Sequence, residues 1–293
     1  MAEDLGSTVP RRQLGRALRE LRVEARMTLD GVAEALQYSR QKVWRIESGL
    51  GPTRPLDVRL LCELFSANPE LAAALVGLAG ETKARGWWQS YGSAVPEWFE
   101  LYVGLESAAS RLRGYDESLI PGLLQTRAYA RGVYQNRTSV SDDELDQFIR
   151  VRQQRQAMLK RRLPRPPALQ SVLSESVLIR CVGNSAVMTE QLEHLLELTA
   201  LPHVSIRVLP LAAGPQYGAL AGTFMMLDFP PGKRTTPEPS VVYSESLTGA
   251  LYLDRPEELA AYEKVWSSLD GLALDEEQSG QLIDKIISEV HYG

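Results

Sequence analysis

The chain has 293 residues, 44% of them hydrophobic, and a formal net charge of −5, which suits about two domains of ~150 residues with full apolar cores. No apolar run approaches the ~20 residues that cross a bilayer, Met1–Val9 is polar and acidic rather than signal-like, and the two distant cysteines, Cys62 and Cys181, outline neither a disulfide framework nor a metal site. These features exclude a membrane-spanning or disulfide-stapled protein and predict a cytoplasmic one.

Residues 1–9 read as a flexible tail. A helix follows, with Leu14, Leu18 and Leu21 on one stripe and Arg12, Arg16 and Arg19 between them. Those arginines suit either a phosphate backbone or a solvated face. Thr28–Glu47 then predicts two short helices joined by a tight turn. In the first, Leu29–Leu36, Thr28 is the N-cap and Leu29, Val32, Ala33 and Leu36 form the buried face. Gly31 inside it costs about 1 kcal/mol relative to alanine. In the second, Arg40–Glu47, Ser39 is the cap and only Val43 and Ile46 are apolar, while Arg40, Gln41, Lys42, Trp44 and Arg45 lie outward. A helix so short and so weakly apolar gains little from burial. Its long hydrogen-bonding side chains suit a DNA major groove, where Arg reads guanine and Gln reads adenine. Gly49 suits a C-cap. Helices over Leu56–Phe65 and Pro69–Ala84 complete the pattern. Charge follows the same division: Pro10–Leu60 carries +5, and Gly86 to the end carries −7. A basic head on an acidic body is the footprint of a DNA-binding module with a separate regulatory body.

In LRELRVEARMTLDGVAEAL, YSRQKVWRIESG and the RP at Arg54–Pro55, the chain resembles the Cro/cI-type (Xre) helix-turn-helix domain of phage repressors. The resemblance implies a mainly α, lambda-repressor-like bundle, with helix 1 at about Leu14–Ala25, helix 2 at Leu29–Leu36 and the recognition helix at Arg40–Glu47. It implies that Arg40, Gln41, Trp44 and Arg45 form the base-reading face, and that Ser39, Lys42 and Arg54 touch phosphate. It also implies that Arg22 and Glu47 tie helix 1 to helix 3. Three departures stand out: Gln37 replaces the usual turn glycine and would need a left-handed or altered turn, Gly31 sits inside helix 2, and Trp44 occupies a spot that is commonly small and polar.

The second half opens on Trp87, Trp88, Tyr91, Trp98, Phe99, Tyr102 and Tyr115. Trp98, Leu101, Tyr102, Leu105, Ala109 and Leu112 keep helical spacing and predict a helix core. Trp87, Trp88 and Tyr91 fit no such stripe and are candidates for a ligand or partner pocket. Pro121 predicts a helix start. Ser141–Glu144 is a capping box, opening a helix to about Arg161 whose arginines and glutamines predict a solvated or salt-bridged surface. Beyond Pro164–Pro167 the period changes. Leu169–Cys181 holds the β-like runs LQSVL and SVLIRC, Thr189–Ala200 is an amphipathic helix, and Val204–Val208 alternates as a half-buried strand. Gly222–Phe229 reads as a buried strand, Ser240–Ser246 and Gly249–Leu253 as a strand pair, and Ala212–Gly218 as a plain connector. Glu257–Leu269 and Asp275–Val290 are closing helices. Strands grouped rather than alternating with helices predict a larger α+β domain. The expected division is a tail (1–9), a helix-turn-helix domain (10–68), a connecting helix (69–85) and an α+β regulatory or partner-binding domain (86–293).

RGWWQSYG, VPEWFELYVGLE, YDESLIPGLLQTRAYAR, the LSE near Ser174 and the later VVYSE are similar to a domain common in actinomycete Xre-family regulators and described there as antitoxin-like. This resemblance implies a transcription regulator, often associated with a small partner protein. It supplies no ligand residues.

No GxGxxG follows a strand, and neither a P-loop nor HExxH is present. His194, His203 and His291 are dispersed. Ser174, Glu175 and Ser176 with His203 lack a nucleophile elbow and an oxyanion site. The expectation is therefore not an enzyme, with no cofactor and no metal. It is a sequence-specific transcriptional regulator, a dimeric repressor controlled through its C-terminal domain. Its expected partners are double-stranded DNA, a second copy of itself, and a small partner protein or small-molecule effector. The alternative is an antitoxin-like interaction protein that sequesters a small partner and autoregulates by binding DNA.

Overall fold

The computed structural model describes residues 8–50, 53–81, 97–134, 141–162, 164–214, 217–230, 239–246 and 249–291. The chain divides into two compact units, residues 1–90 with 100–108 and residues 91–99 with 109–293.

Among the described residues, the first unit is built from α1 (Thr8–Glu24), α2 (Leu29–Leu36), α3 (Arg40–Glu47), α4 (Pro55–Leu64), α5 (Pro69–Glu81) and residues 100–108. α1 starts six residues before the position that the resemblance implies. It takes in Pro10 within its first turn, where a missing N–H leaves no helical bond unmade. Thr28 and Ser39 cap α2 and α3 by accepting from the backbone N–H of Gly31 and Lys42. Gln37 does adopt the left-handed conformation (φ 54°, ψ 39°). The N–H groups of Gln37 and Tyr38 then donate to Glu34 and Ala33 and close α2. Gly49 (φ 67°) ends α3 in the same way, with Leu50 N–H returning to Arg45. The core joins Leu14 and Leu18 of α1, Val32 and Ala33 of α2, Val43 and Ile46 of α3, and Val58, Leu61 and Cys62 of α4. α5, read from sequence as a connector, adds Leu75 and Ala79 to this core.

The stripe expected to run as helix from Trp98 to Leu112 stops with α6 (Glu97–Ala108), and β1 (Arg111–Asp116) begins at once. β1 is an inner strand of a six-stranded sheet. The others are β2 (Ala168–Ser174), β3 (Val204–Leu209), β4 (Phe224–Asp228), β5 (Val241–Ser246) and β6 (Gly249–Leu253), in the order β3-β2-β1-β4-β5-β6. β1, β2 and β3 are parallel. Helices α7 (Arg127–Tyr134) and α8 (Asp142–Gln156) cross from β1 to β2, and α9 (Glu175–Ile179) and α10 (Ser185–Thr199) from β2 to β3. β4, β5 and β6 add on antiparallel. The short α11 (Gly218–Ala221) precedes β4, and α12 (Pro256–Leu272) and α13 (Glu276–Ile286) close the chain. The fold is thus a helix-turn-helix bundle followed by a larger α+β domain.

Three local readings are corrected. SVLIRC is not a strand: α9 occupies it, capped by Ser174. Pro121 opens a 3₁₀ turn over Gly122–Leu124, and α7 begins later. The arginine-rich α8 is not wholly surface, since Arg155 is buried and Arg152 donates to Gln125 and Tyr134.

One face of the sheet packs Tyr115, Val172, Phe224, Met226 and Val242 against Val265, Trp266 and Leu269 of α12. Arg113, buried on β1, makes two bonds of 2.6 and 2.7 Å to Glu263 of α12 and reaches Asp228. That ion network lets a polar strand, RLRGYD, lie inside the sheet. The outer edge of β3 is also covered. Val208 donates to Ser279 Oγ and accepts from Leu274 N–H, so its edge groups are paired.

Candidate nucleic-acid interface

α3 is fixed from its inner side. Val43 is fully buried and Ile46 nearly so. Arg22 of α1 grips Glu47 at the end of α3 through Nε–Oε1 (2.7 Å) and Nη2–Oε2 (2.9 Å), while its Nη1 donates to Met27 O at 2.8 Å. A fork-to-carboxylate pair of this kind sets orientation as well as distance. Gly15 of α1 brings the two backbones together. A Cβ there would sit 2.6 Å from the carbonyl oxygens of both Ile46 and Glu47.

The outward side carries the predicted contact residues. Arg40 and Gln41 are exposed, and Trp44 is 48% exposed despite its size. Arg40 stands 3.3 Å from Asp30, with both groups largely in solvent. Such a pair contributes roughly 0–1 kcal/mol, so a phosphate or base edge displaces Asp30 at small cost. Arg45 is half-buried and lines an open cleft of about 310 Å³ with Ser39, Gln41, Lys42, Thr53 and Asp57. Arg54 is exposed at the N-cap of α4 and makes no side-chain cap bond. The first-turn N–H groups of α4 and its positive dipole end lie directly beyond. Ser39 Oγ is engaged in capping α3.

Lys42 is tied more tightly than sequence suggests. Its Nζ donates to Asp57 Oδ1 at 3.1 Å and lies 3.4 Å from the centre of the Tyr38 ring. Tyr38 Oη donates to the same Oδ1 at 2.5 Å. Burial, then the Asp57 hydrogen bond, push the Tyr38 hydroxyl up to about 12. Burial pushes the Asp57 carboxyl up, but the bonds from Tyr38 and Lys42 with the charges of Lys42 and Arg54 outweigh it and hold the group below its usual range. Tyr38, Asp57 and Gly15 were not singled out from sequence. The only local signal was a glycine inside the α1 pattern. The α1 arginines also divide: Arg19 is exposed, whereas Arg12 is buried.

Two family profiles match the chain. A helix-turn-helix domain matches residues 13–75, spanning α2, α3, α4 and most of α1 and α5. The domain of unknown function DUF5753 matches residues 99–285, more than half of the chain. The chain belongs to the DUF5753 family. Within this family member, the helix-turn-helix domain supports a DNA-binding regulator with DNA as a partner. No curated protein and no solved structure matches the chain.

Elsewhere the structure separates groups that sequence placed side by side. Ser174 and Ser176 bond each other at 2.8 Å, while His203 bonds Leu159 O at 2.8 Å. Ser174 ends β2 and His203 precedes the parallel β3, so the two lie at opposite ends of the sheet. His194 stands 3.5 Å from Glu197. Cys62 is buried, Cys181 is exposed, and both are free thiols. Among the described residues no group of three His, Cys, Asp or Glu side chains can hold a metal ion, and no helix is long and apolar enough to cross a membrane. The pocket candidates Trp87, Trp88 and Tyr91 lie outside the described residues.

Proposed function

We propose that the protein is a sequence-specific transcriptional regulator, a dimeric repressor whose helical unit reads duplex DNA with the outer face of α3. The observation that carries this reading is a contrast within one short helix. Val43, Ile46 and Glu47 are locked to the bundle, while Arg40, Gln41 and Trp44 stand exposed on the opposite side. Arg40, Gln41 and Arg45 choose bases, Trp44 contacts a thymine methyl or a sugar, and Arg54 with Ser39 holds phosphate. Lys42 serves phosphate with the charge that Asp57 leaves it. A helix of eight residues reads only a few base pairs, so pairing of two copies extends the site. The α+β unit then sets the arrangement of the heads, and an effector acts by favouring one arrangement. In this reading the chain is a cytoplasmic regulator and has no catalytic role of its own.

The second reading is an antitoxin-like factor of the Xre type that sequesters a small protein. The exposed Leu211, Tyr217, Leu220 and Leu251 of the α+β unit favour a protein partner there. A footprint of the full chain on its own upstream region, with and without the neighbouring gene's product, tests both readings. Base-specific protection alone supports the regulator. Protection that needs a stoichiometric co-purifying protein supports the second reading, and no protection at low salt defeats both.

A further inference from the structure

In the α+β unit, the sheet ends of β1 and β5 bring two acidic groups together, and Glu245 also feels the charge of Arg152. Asp116 is the last residue of β1 and pairs with Leu173 of β2. Continuing the β1–β4 and β4–β5 registers places Asp116, Thr223 and Glu245 in one row across three strands. The bonds from Glu117 N–H to Thr223 Oγ1 and from Ser244 Oγ to Thr223 O fix that row. Side chains in one row point to one face, so both carboxyls lie on the face away from α12. The outer strands of the row stand about 9–10 Å apart, room for one small group between them.

Asp116 is nine-tenths buried, yet its carboxyl makes no hydrogen bond or ion pair among the described residues. Tyr129 Oη accepts from Ile120 N–H, and Arg152 donates to Gln125 and Tyr134. Ser176 Oγ donates to Glu117 O, and Tyr243 Oη donates to Glu245 at 2.5 Å. The Asp116 oxygens are not fully enclosed, so a ligand can reach a carboxyl that makes no hydrogen bond among the described residues. Burial and the nearby Glu245 together push the Asp116 carboxyl up to about 8. The charged and titratable groups felt in this region are Glu245, Tyr129, Arg152 and Arg180.

We propose that this sheet end binds a small organic cation, an amine or guanidinium, held between Asp116 and Glu245. A cation relieves the repulsion between the two carboxyls and gives Asp116 the donor it lacks. The rings of Tyr243 and Tyr252, 5.2 Å apart, belong to the same sheet face as Asp116 and Glu245. Two carboxyls without a third ligand do not suit a metal ion. The acid pair also disfavours an anion.

The test is calorimetric titration of the full chain at pH 8 with n-butylamine and n-butylguanidine, with n-butanol and butyrate as controls. The expected result is saturable binding of a cationic probe and none of the controls. Asp116→Asn weakens that binding at least tenfold, and Glu245→Gln several-fold. No saturable binding of either cation, equal binding of butyrate, or a folded Asp116→Asn that binds as wild type overturns the proposal. If circular dichroism shows Asp116→Asn unfolded, the exposed Glu245→Gln decides, and an unchanged affinity overturns the proposal. The assay contains no DNA, so its failure leaves the α3 reading untouched.

Discussion

The helical unit and the sheet unit handle charge in opposite ways. In the first, Arg40 and Arg54 are turned outward, and the two-bond pair Arg22–Glu47 serves to aim a helix. In the second, Arg113 and Asp116 are drawn into the sheet, one held by two carboxylates and one with no side-chain hydrogen bond among the described residues. A surface that must meet polyanionic DNA keeps its cations loosely held. A unit that encloses charge either neutralises it or reserves it for a ligand.

The largest expected effect breaks the aiming of α3. Gly15→Val places a side chain against two backbone carbonyls that have no flexible end to give way. It is expected to cost about 3 kcal/mol in denaturant unfolding of the helical unit and to abolish duplex retention. Next comes a matched pair of stability measurements. Arg113→Ala leaves Glu263 and Asp228 without their shared partner and is expected to cost about 2 kcal/mol, discounted because Glu263 is half exposed. Arg40→Ala, whose ion pair lies in solvent, is expected to stay within about 0.5 kcal/mol. Equal losses would erase the contrast between the units. On DNA, Arg45→Ala is expected to weaken the preferred site by about 1–3 kcal/mol and scrambled duplex far less. The smallest effect sharpens the picture of Lys42. Asp57→Asn frees its ammonium, so affinity for any duplex is expected to rise by about 0.5 kcal/mol with a steeper salt dependence. The same variant has a pH signature. Asp57 is held below its usual range in the folded protein, so its contribution to stability is present above the unfolded carboxylate pKa. That contribution is lost as pH falls through the folded value. Unfolding curves of wild type and Asp57→Asn should therefore differ at neutral pH and converge in acid.

What sequence revealed was local. α2 and α3 carry their own caps, and Val43 and Ile46 set the inner face without help from distant residues. β3 announces itself by alternation, and β4 by an unbroken apolar run. β1 escaped because RLRGYD looks polar and because Ala109 and Leu112 continue the helical spacing by accident. Its burial comes from strands on both sides and from Glu263, 150 residues away. Missing β1 also hid the parallel β1–β2–β3 half of the sheet. α9 escaped because a five-residue apolar segment has no length from which to judge its period. The arginines of α8 read as surface because a charge pattern does not reveal that Gln125 and Tyr134 fold back onto it. At the interface, the readable part was the α3 face. The Tyr38–Asp57–Lys42 knot and the Gly15 approach join residues that no spacing rule connects.

The account turns on α3 choosing bases. Selection of binding sites from a random duplex pool, run in parallel with the wild-type chain and with an Arg40→Ala/Arg45→Ala variant, addresses this most directly. A recurrent sequence enriched by wild type and lost by a variant that still binds bulk DNA is the result expected. The same sequence enriched by both proteins, or by neither, would contradict it.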